Sequence, residues 1–198
     1  MKDLPKEEFL NQRSDKFTLV LNDNDKNLFQ SSRNILNKFV QNDKICIVYI
    51  AVIYHNRDYD RVQKHIKTAH YHVVIHLNCV CRIGTMINWI CDIFGCNDNQ
   101  ITIDKCSSLA SQSRYLCHLD DFDKESYDFE DVVTNDYDVL SRYFNLVFVR
   151  DLTDLVKVVR QYNYDLEEIM CHISNYDKWR KYVTDLIINY RRKVFSSI

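Results

Sequence analysis

Glycine and proline are nearly missing: 198 residues contain only Gly84, Gly95 and Pro5. With so little glycine for left-handed turns and so little proline for corners, Asn and Asp must supply most reversals of the chain. That scarcity argues against a many-turned β-sandwich or jelly roll and favours a mixed chain of strands and long helices. Long apolar runs are missing too, since no stretch approaches about 18 consecutive apolar residues. The opening residues Met1-Lys2-Asp3-Leu4-Pro5-Lys6-Glu7-Glu8 are charged, without the apolar core of a signal peptide. The expected location is therefore cytoplasmic, with no membrane partner. Among the eight cysteines there is no Cys-x-x-Cys pair and no spacing of a common zinc module. Reduced thiols acting as buried, small apolar side chains are expected. There are no internal repeats, no low-complexity tracts and no Walker-type phosphate loop.

What is present is ordinary in amount and uneven in arrangement. Hydrophobic residues make up 46% and charged residues 27%, enough for a sizeable core in one domain plus a small appendage. Residues 1–118 carry a net +3, residues 119–138 a net −8 with Lys124 as the single basic side chain, and residues 139–198 a net +3. Read blandly, the acidic run is a solvated loop. It also separates two mildly basic parts, each free to approach a polyanion.

Periodicity predicts strands at Phe17–Leu21, at the continuous apolar run Ile45–Tyr54, over 69–77 and at Ile101–Asp104. Helices are expected over Asp23–Gln41 with Asn22 or Asp23 as N-cap, over Gly84–Phe94 with Gly95 as the stop, and over Ser107–Leu119. Residues 55–68 read as a loop. This first part is expected to form an antiparallel-rich sheet with helices on one face. From Tyr137 onward only helical patterns occur, at about 138–149, 152–162, 165–173 and 176–195. The turn around Asn163 leaves open a DNA-binding helix-turn-helix, or simply a packed helix pair.

His70-Tyr71-His72 carries the most chemistry. In a strand, alternation puts His70, His72, Val74 and His76 on one face and Tyr71, Val73 and Ile75 on the other. Two imidazoles two residues apart, roughly 6.6–7 Å between Cα atoms, can lean toward one divalent metal. A half-exposed strand face that happens to carry histidines is the plain alternative. Such a metal usually wants a carboxylate as well. The segment His55-Asn56-Arg57-Asp58-Tyr59-Asp60 offers Asp58, which an antiparallel neighbour would set near His70, with Asp60 as backup. Two histidines and a carboxylate leave coordination positions open for polarising a substrate oxygen. Tyr115 and His118 are three residues apart, on one face if helical. A phenol with a pKa near 10 is a poor nucleophile unless a cation and a base assist it.

In that order, His55-Asn56-Arg57-Asp58, Lys67-Thr68-Ala69-His70-Tyr71-His72-Val73 and Arg114-Tyr115-Leu116-Cys117-His118 resemble the rolling-circle replication initiators of small bacterial plasmids. These are HUH endonucleases, named for the histidine–hydrophobe–histidine motif. Members typically show a His-Asp-Lys-Asp-like loop, a Lys-Lys-x-His-Tyr-His-Val strand, a Tyr-Leu-Thr-His helix and a later Tyr-Asp pair, here Tyr127-Asp128. The likeness spans roughly residues 15–135. It implies an α+β HUH endonuclease domain over 1–135, followed by a helical part over 136–198 for oligomerisation or DNA binding.

By the same resemblance, His70, His72 and Asp58 hold the metal. Tyr115 attacks one strand of single-stranded or hairpin origin DNA, leaving a 5′-phosphotyrosine link and a free 3′-hydroxyl. His118 takes a positioning or proton-transfer role, and Tyr127 is the runner-up nucleophile. Oxygen-rich substrates imply Mg²⁺ or Mn²⁺, and two imidazoles tilt the choice toward Mn²⁺. Lys64, Lys67 and Arg114 lie near the motifs and are candidates for phosphate contact, or plain surface charge. Strand opening and synthesis would need a host helicase and polymerase, and the C-terminal helices would make a homo-oligomer.

Asn56 stands where the family often has aspartate, Cys117 replaces threonine, and the loop between Asp58 and His70 lacks the common glycine. Other readings are a transposase with the same histidine motif, a small-molecule metalloenzyme such as an iron oxygenase, and a catalytically silent DNA-binding or assembly protein of the same fold.

Overall fold

A computed structural model describes residues 6–22, 28–60, 64–119, 124–144, 152–161, 173 and 176–195. The chain divides into two compact units, Met1–Leu140 and Ser141–Ile198.

In the first unit the alternating and apolar segments become strands β1 Arg13–Asn22, β2 Ile47–His55, β5 His70–Arg82, β6 Ile101–Lys105 and β7 Val133–Thr134. They form one antiparallel sheet in the order β6-β1-β5-β2-β7. Helices α1 Lys6–Asn11, α2 Ser32–Val40, α3 Ile83–Phe94 and α4 Leu109–Tyr115 flank it, and the fold is α+β.

The main core follows from the period of two. Phe17, Leu19 and Leu21 of β1 share a face with Tyr71, Val73 and Ile75 of β5 and with Ile50 and Val52 of β2. Ile35, Leu36 and Phe39 of α2 and Met86, Ile90 and Phe94 of α3 close over them. Helices are not confined to that face, contrary to the expectation from periodicity. The β2 run is buried on both sides from Tyr49 to Ile53, so the opposite face needs a cover as well. α4 supplies it, with Ser113 Oγ 3.1 Å from the Tyr49 hydroxyl.

Several boundaries differ from the sequence expectation for local reasons. α2 begins only at Ser32, because the Ser31 side chain accepts the Asn34 N–H and caps it; the N-cap candidate Asp23 lies outside the described residues. The segment read as loop 55–68 contains a small hairpin, β3 Tyr59–Asp60 paired with β4 His65–Ile66. Strand β5 runs on to Arg82, pairing with Arg13 beyond a register break at Ser14 and Lys16. Gly95 ends α3 in the left-handed conformation at φ 67°, as its position suggested. Neither α1 nor β7 was legible from pattern. Of the cysteines, Cys81, Cys96, Cys106 and Cys117 are buried, whereas Cys46 and Cys79 are exposed, contrary to the expectation of burial.

Helix α5, Tyr137–Phe144, stands at the division between the units. In the second unit the described helices are α6, Leu152–Gln161, and the C-terminal helix Tyr176–Phe195. Leu155, Val159, Ile173, Trp179, Val183 and Ile187 form its buried cluster. The helix expected over 165–173 and the turn around Asn163 lie outside the described residues, apart from Ile173. No helix among the described residues is long and apolar enough to cross a membrane.

Candidate active site

The face opposite the main core carries the polar cluster. Antiparallel pairing sets His55 of β2 directly across from His70 of β5, and Ile53 across from His72. Three residues past His55 the chain brings Asp58 back, held where its carbonyl accepts the Lys67 N–H at 2.7 Å. One ligand atom each from His55, Asp58, His70 and His72 lies within 4.8 Å of all the others. His55 is the member that sequence reasoning quoted in a motif but did not assign. Its signal was position at the end of an apolar strand, three residues before Asp58. Asp60 pairs through its backbone with His65, and its side chain is outside the described set.

Backbone carbonyls set the ring tautomers. His70 Nδ1 donates to Thr68 O at 2.8 Å, His55 Nε2 to Leu116 O at 2.7 Å and His118 Nδ1 to Glu125 O at 2.7 Å. In each neutral ring the other nitrogen then presents a lone pair. Those nitrogens face one carboxylate oxygen: Asp58 Oδ2 lies 3.4 Å from His55 Nδ1, 3.7 Å from His70 Nε2 and 3.9 Å from His118 Nε2. His55 Nδ1 and His118 Nε2 are buried without a hydrogen-bond partner. His70 Nε2 also sits 3.1 Å from His72 Nε2. Buried lone pairs pointed at one another are unfavourable unless a cation lies among them. The donor set therefore fits a divalent metal.

Electrostatics agree with that fit. Burial, followed by the neighbouring His55 and His70, pushes His72 down to about 2. Burial likewise lowers His70 and His118 from their ordinary value. Burial alone would raise Asp58, but His55, His118 and the Tyr127 hydroxyl outweigh it and hold the carboxyl well below the usual carboxylate range. His70 and His72 rings kept neutral by burial, beside an ionised Asp58, are in the protonation states a metal ligand needs.

Tyr127 organises this cluster. Its hydroxyl donates to Asp58 Oδ1 at 3.1 Å and accepts the N–H groups of Asn56 and Arg57 at 3.0 and 2.9 Å. The donor and both lone pairs are thus in use. The ring stacks on His55, centroids 4.2 Å apart and 8° from parallel, and the residue is 4% exposed. Burial raises its pKa. By contrast Tyr115 lines an open cleft of about 360 Å³ together with Asp58, Lys67, His70, His72 and Lys124. Its ring lies edge-on to His72, 5.9 Å between centroids.

Tyr115 and His118 meet by a route other than a continuous helix. Past Tyr115 the carbonyls are taken by distant partners: Leu116 O by His55 Nε2 and Cys117 O by the Tyr127 N–H at 3.2 Å. The Leu119 N–H returns to Arg114 O at 3.3 Å and the His118 N–H to Tyr115 O at 3.0 Å. This is a Schellman stop, and His118 fills its left-handed position at φ 54°, where glycine is usual. The backbone strain, on the order of 1 kcal/mol, turns the His118 ring inward to 3% exposure. Cys117 is fully buried with Sγ donating to Asp128 O at 3.4 Å.

The three candidate phosphate contacts separate. Lys67 lines the cleft. Lys64 is exposed in the turn of the β3–β4 hairpin, just before β4, with φ 56°. Arg114 is half-buried in the last turn of α4 and does not line the cleft.

No curated protein matches the chain. A family described as plasmid replication protein, origin binding domain, matches residues 10–140, the sheet and the whole histidine cluster included.

Proposed function

From a chain that belongs to the plasmid replication protein family, through an origin-binding domain at residues 10–140, we propose an HUH-type initiator that nicks and rejoins one strand of origin DNA. One observation carries this reading: the donor atoms of His55, Asp58, His70 and His72 converge beside the cleft that Tyr115 lines. His70, His72 and Asp58 would hold the ion, with His55 as a further ligand. When bound, Mn²⁺ or Mg²⁺ supplies Lewis-acid polarisation of a non-bridging phosphate oxygen.

The chain's own residues do the rest. Tyr115 is the nucleophile, because its phenol lies in the cleft while the Tyr127 hydroxyl is buried and committed to three hydrogen bonds. The Tyr115 oxygen bonds to phosphorus as the bond to the 3′ oxygen breaks, and the new ester conserves the bond energy for later rejoining. Tyr127 acts as a positioning residue, holding Asp58 and stacking on His55. His118 closes the inner wall of the site beside Asp58. Lys67 at the cleft contacts the DNA backbone, with Lys64 and Arg114 as outer phosphate contacts. The partner is single-stranded or hairpin origin DNA, and a host helicase and polymerase follow the nick.

The test incubates the protein and Tyr115→Phe, with Mn²⁺, against single-stranded oligonucleotides tiling the DNA beside its own gene. Wild type is expected to yield a tyrosine-linked product and Tyr115→Phe none, with DNA binding retained by both. No adduct from either form would favour the silent DNA-binding reading and overturn the nickase.

A further inference from the structure

We propose that Lys124 is a catalytic residue of the tyrosine attack, an inference that rests on the nickase reading above. In the sequence this lysine is the one basic side chain of a strongly acidic run. In the structure it reaches the nucleophile, with Nζ donating to the Tyr115 hydroxyl oxygen. The same ammonium lies 4.4 Å from the centroid of the Tyr115 ring. It also lines the cleft that holds Asp58, His70 and His72.

The placement is built by the residues that follow the lysine. The carbonyl of Glu125, the next residue, accepts His118 Nδ1 at 2.7 Å. The Glu125 carboxylate lies 3.5 Å from the Arg57 guanidinium. Two residues further, Tyr127 donates its N–H to Cys117 O and ties its hydroxyl to Asp58. The segment that carries Lys124 is therefore sewn to both the metal-ligand loop and the chain just past Tyr115.

An ammonium has donors and no lone pair, so Lys124 does not take the phenol's proton. It stabilises the charge that develops on the phenol oxygen, in a half-buried cleft where a fixed donor is stronger than in water. The phenol proton leaves to solvent, and the Tyr115 oxygen forms its bond to phosphorus as the bond from phosphorus to the 3′ oxygen breaks. The departing 3′ oxygen takes a proton from solvent, and Lys124 remains protonated throughout. In rejoining, the same ammonium stabilises the leaving phenolate.

The test uses the full chain with Mn²⁺ and the tiled single-stranded oligonucleotides, comparing wild type, Lys124→Met, Lys124→Gln and Lys124→Arg under single turnover. Loss of one such donor predicts adduct formation slowed at least ~30-fold in the Met and Gln variants, with DNA affinity changed less than ~3-fold. Lys124→Arg, which keeps the charge, is expected to recover most of the rate. Thermal melting and Mn²⁺ titration of the variants should match wild type, since Lys124 is neither core nor ligand. Met and Gln variants that react within ~3-fold of wild type, or a rate loss matched by an equal loss of DNA affinity, would overturn the proposal; the latter makes Lys124 a DNA anchor. Wild type that forms no adduct would instead bring down the nickase reading, and Lys124's role with it.

Discussion

His70 and His72 face one another through nitrogens that burial keeps from taking a proton, His72 down to about 2 and His70 below its ordinary value. An unfolded chain would protonate both near pH 6.5. Below that pH the unfolded state binds more protons than the folded one, so stability is present above the unfolded value and is lost as pH falls beneath it. Each such ring contributes a loss on the order of 1.4 kcal/mol per pH unit until its folded pKa is reached. We expect the melting temperature of the metal-free protein to fall between pH 7 and pH 5 and to change little between pH 7 and pH 8. His72→Asn should flatten the acid side. A melting temperature that rises toward pH 5 would mean that the folded rings are charged and paired with Asp58. At this same scale a glycine-poor chain has placed His118 in a left-handed position, trading backbone strain for a ring aimed at Asp58.

Helix ends show which elements were legible and why. The stop of α3 could be read directly, because Gly95 supplies the left-handed residue and its own N–H returns to Cys91 O. The stop of α4 could not, because its left-handed residue is His118 rather than glycine, and the carbonyls past Tyr115 are captured by His55 and the Tyr127 N–H, 61 and 10 residues away. Gly95→Ala isolates the local contribution. A Cβ there would meet nothing within 4 Å, so only the φ of 67° opposes it. The expected cost is about 1 kcal/mol, read as a melting temperature a few degrees lower, with nicking unchanged. No loss of stability would mean that α3 ends for tertiary reasons instead. The β2 strand shows the converse case: its unbroken apolar run forecast burial on both faces, yet which helix covers each face came only from packing.

For the whole chain the two compact units suggest separable roles. The origin-binding match ends at residue 140, where the first unit also ends, a few residues beyond the domain limit proposed from sequence. In the second unit a small buried cluster coexists with Leu152, Tyr182 and Ile188 at 52%, 49% and 42% exposure. We propose that this unit covers those side chains with further copies of itself. We expect a chain truncated after Phe144 to bind Mn²⁺ and nick the oligonucleotide as a monomer, while the full chain sediments as an oligomer at micromolar concentration. A full chain that sediments as a monomer would remove the oligomerisation role.

Periodicity and short-range capping acted within a few residues, and those features the amino-acid order determined alone: the β5 alternation with His70 and His72 on one face, the Tyr71–Val73–Ile75 core stripe, and the Gly95 stop. Motif order also pointed to Asp58 and Tyr115. Only tertiary structure decided that His55 joins the cluster, that Tyr127 is a clamp on Asp58 from 69 positions away, and that Lys124 touches the Tyr115 hydroxyl. Strand register and loop return bring such groups together across long separations, and neither leaves a repeating trace along the chain. The chemistry of the site was written locally as residue types, but its geometry exists only once the sheet has paired.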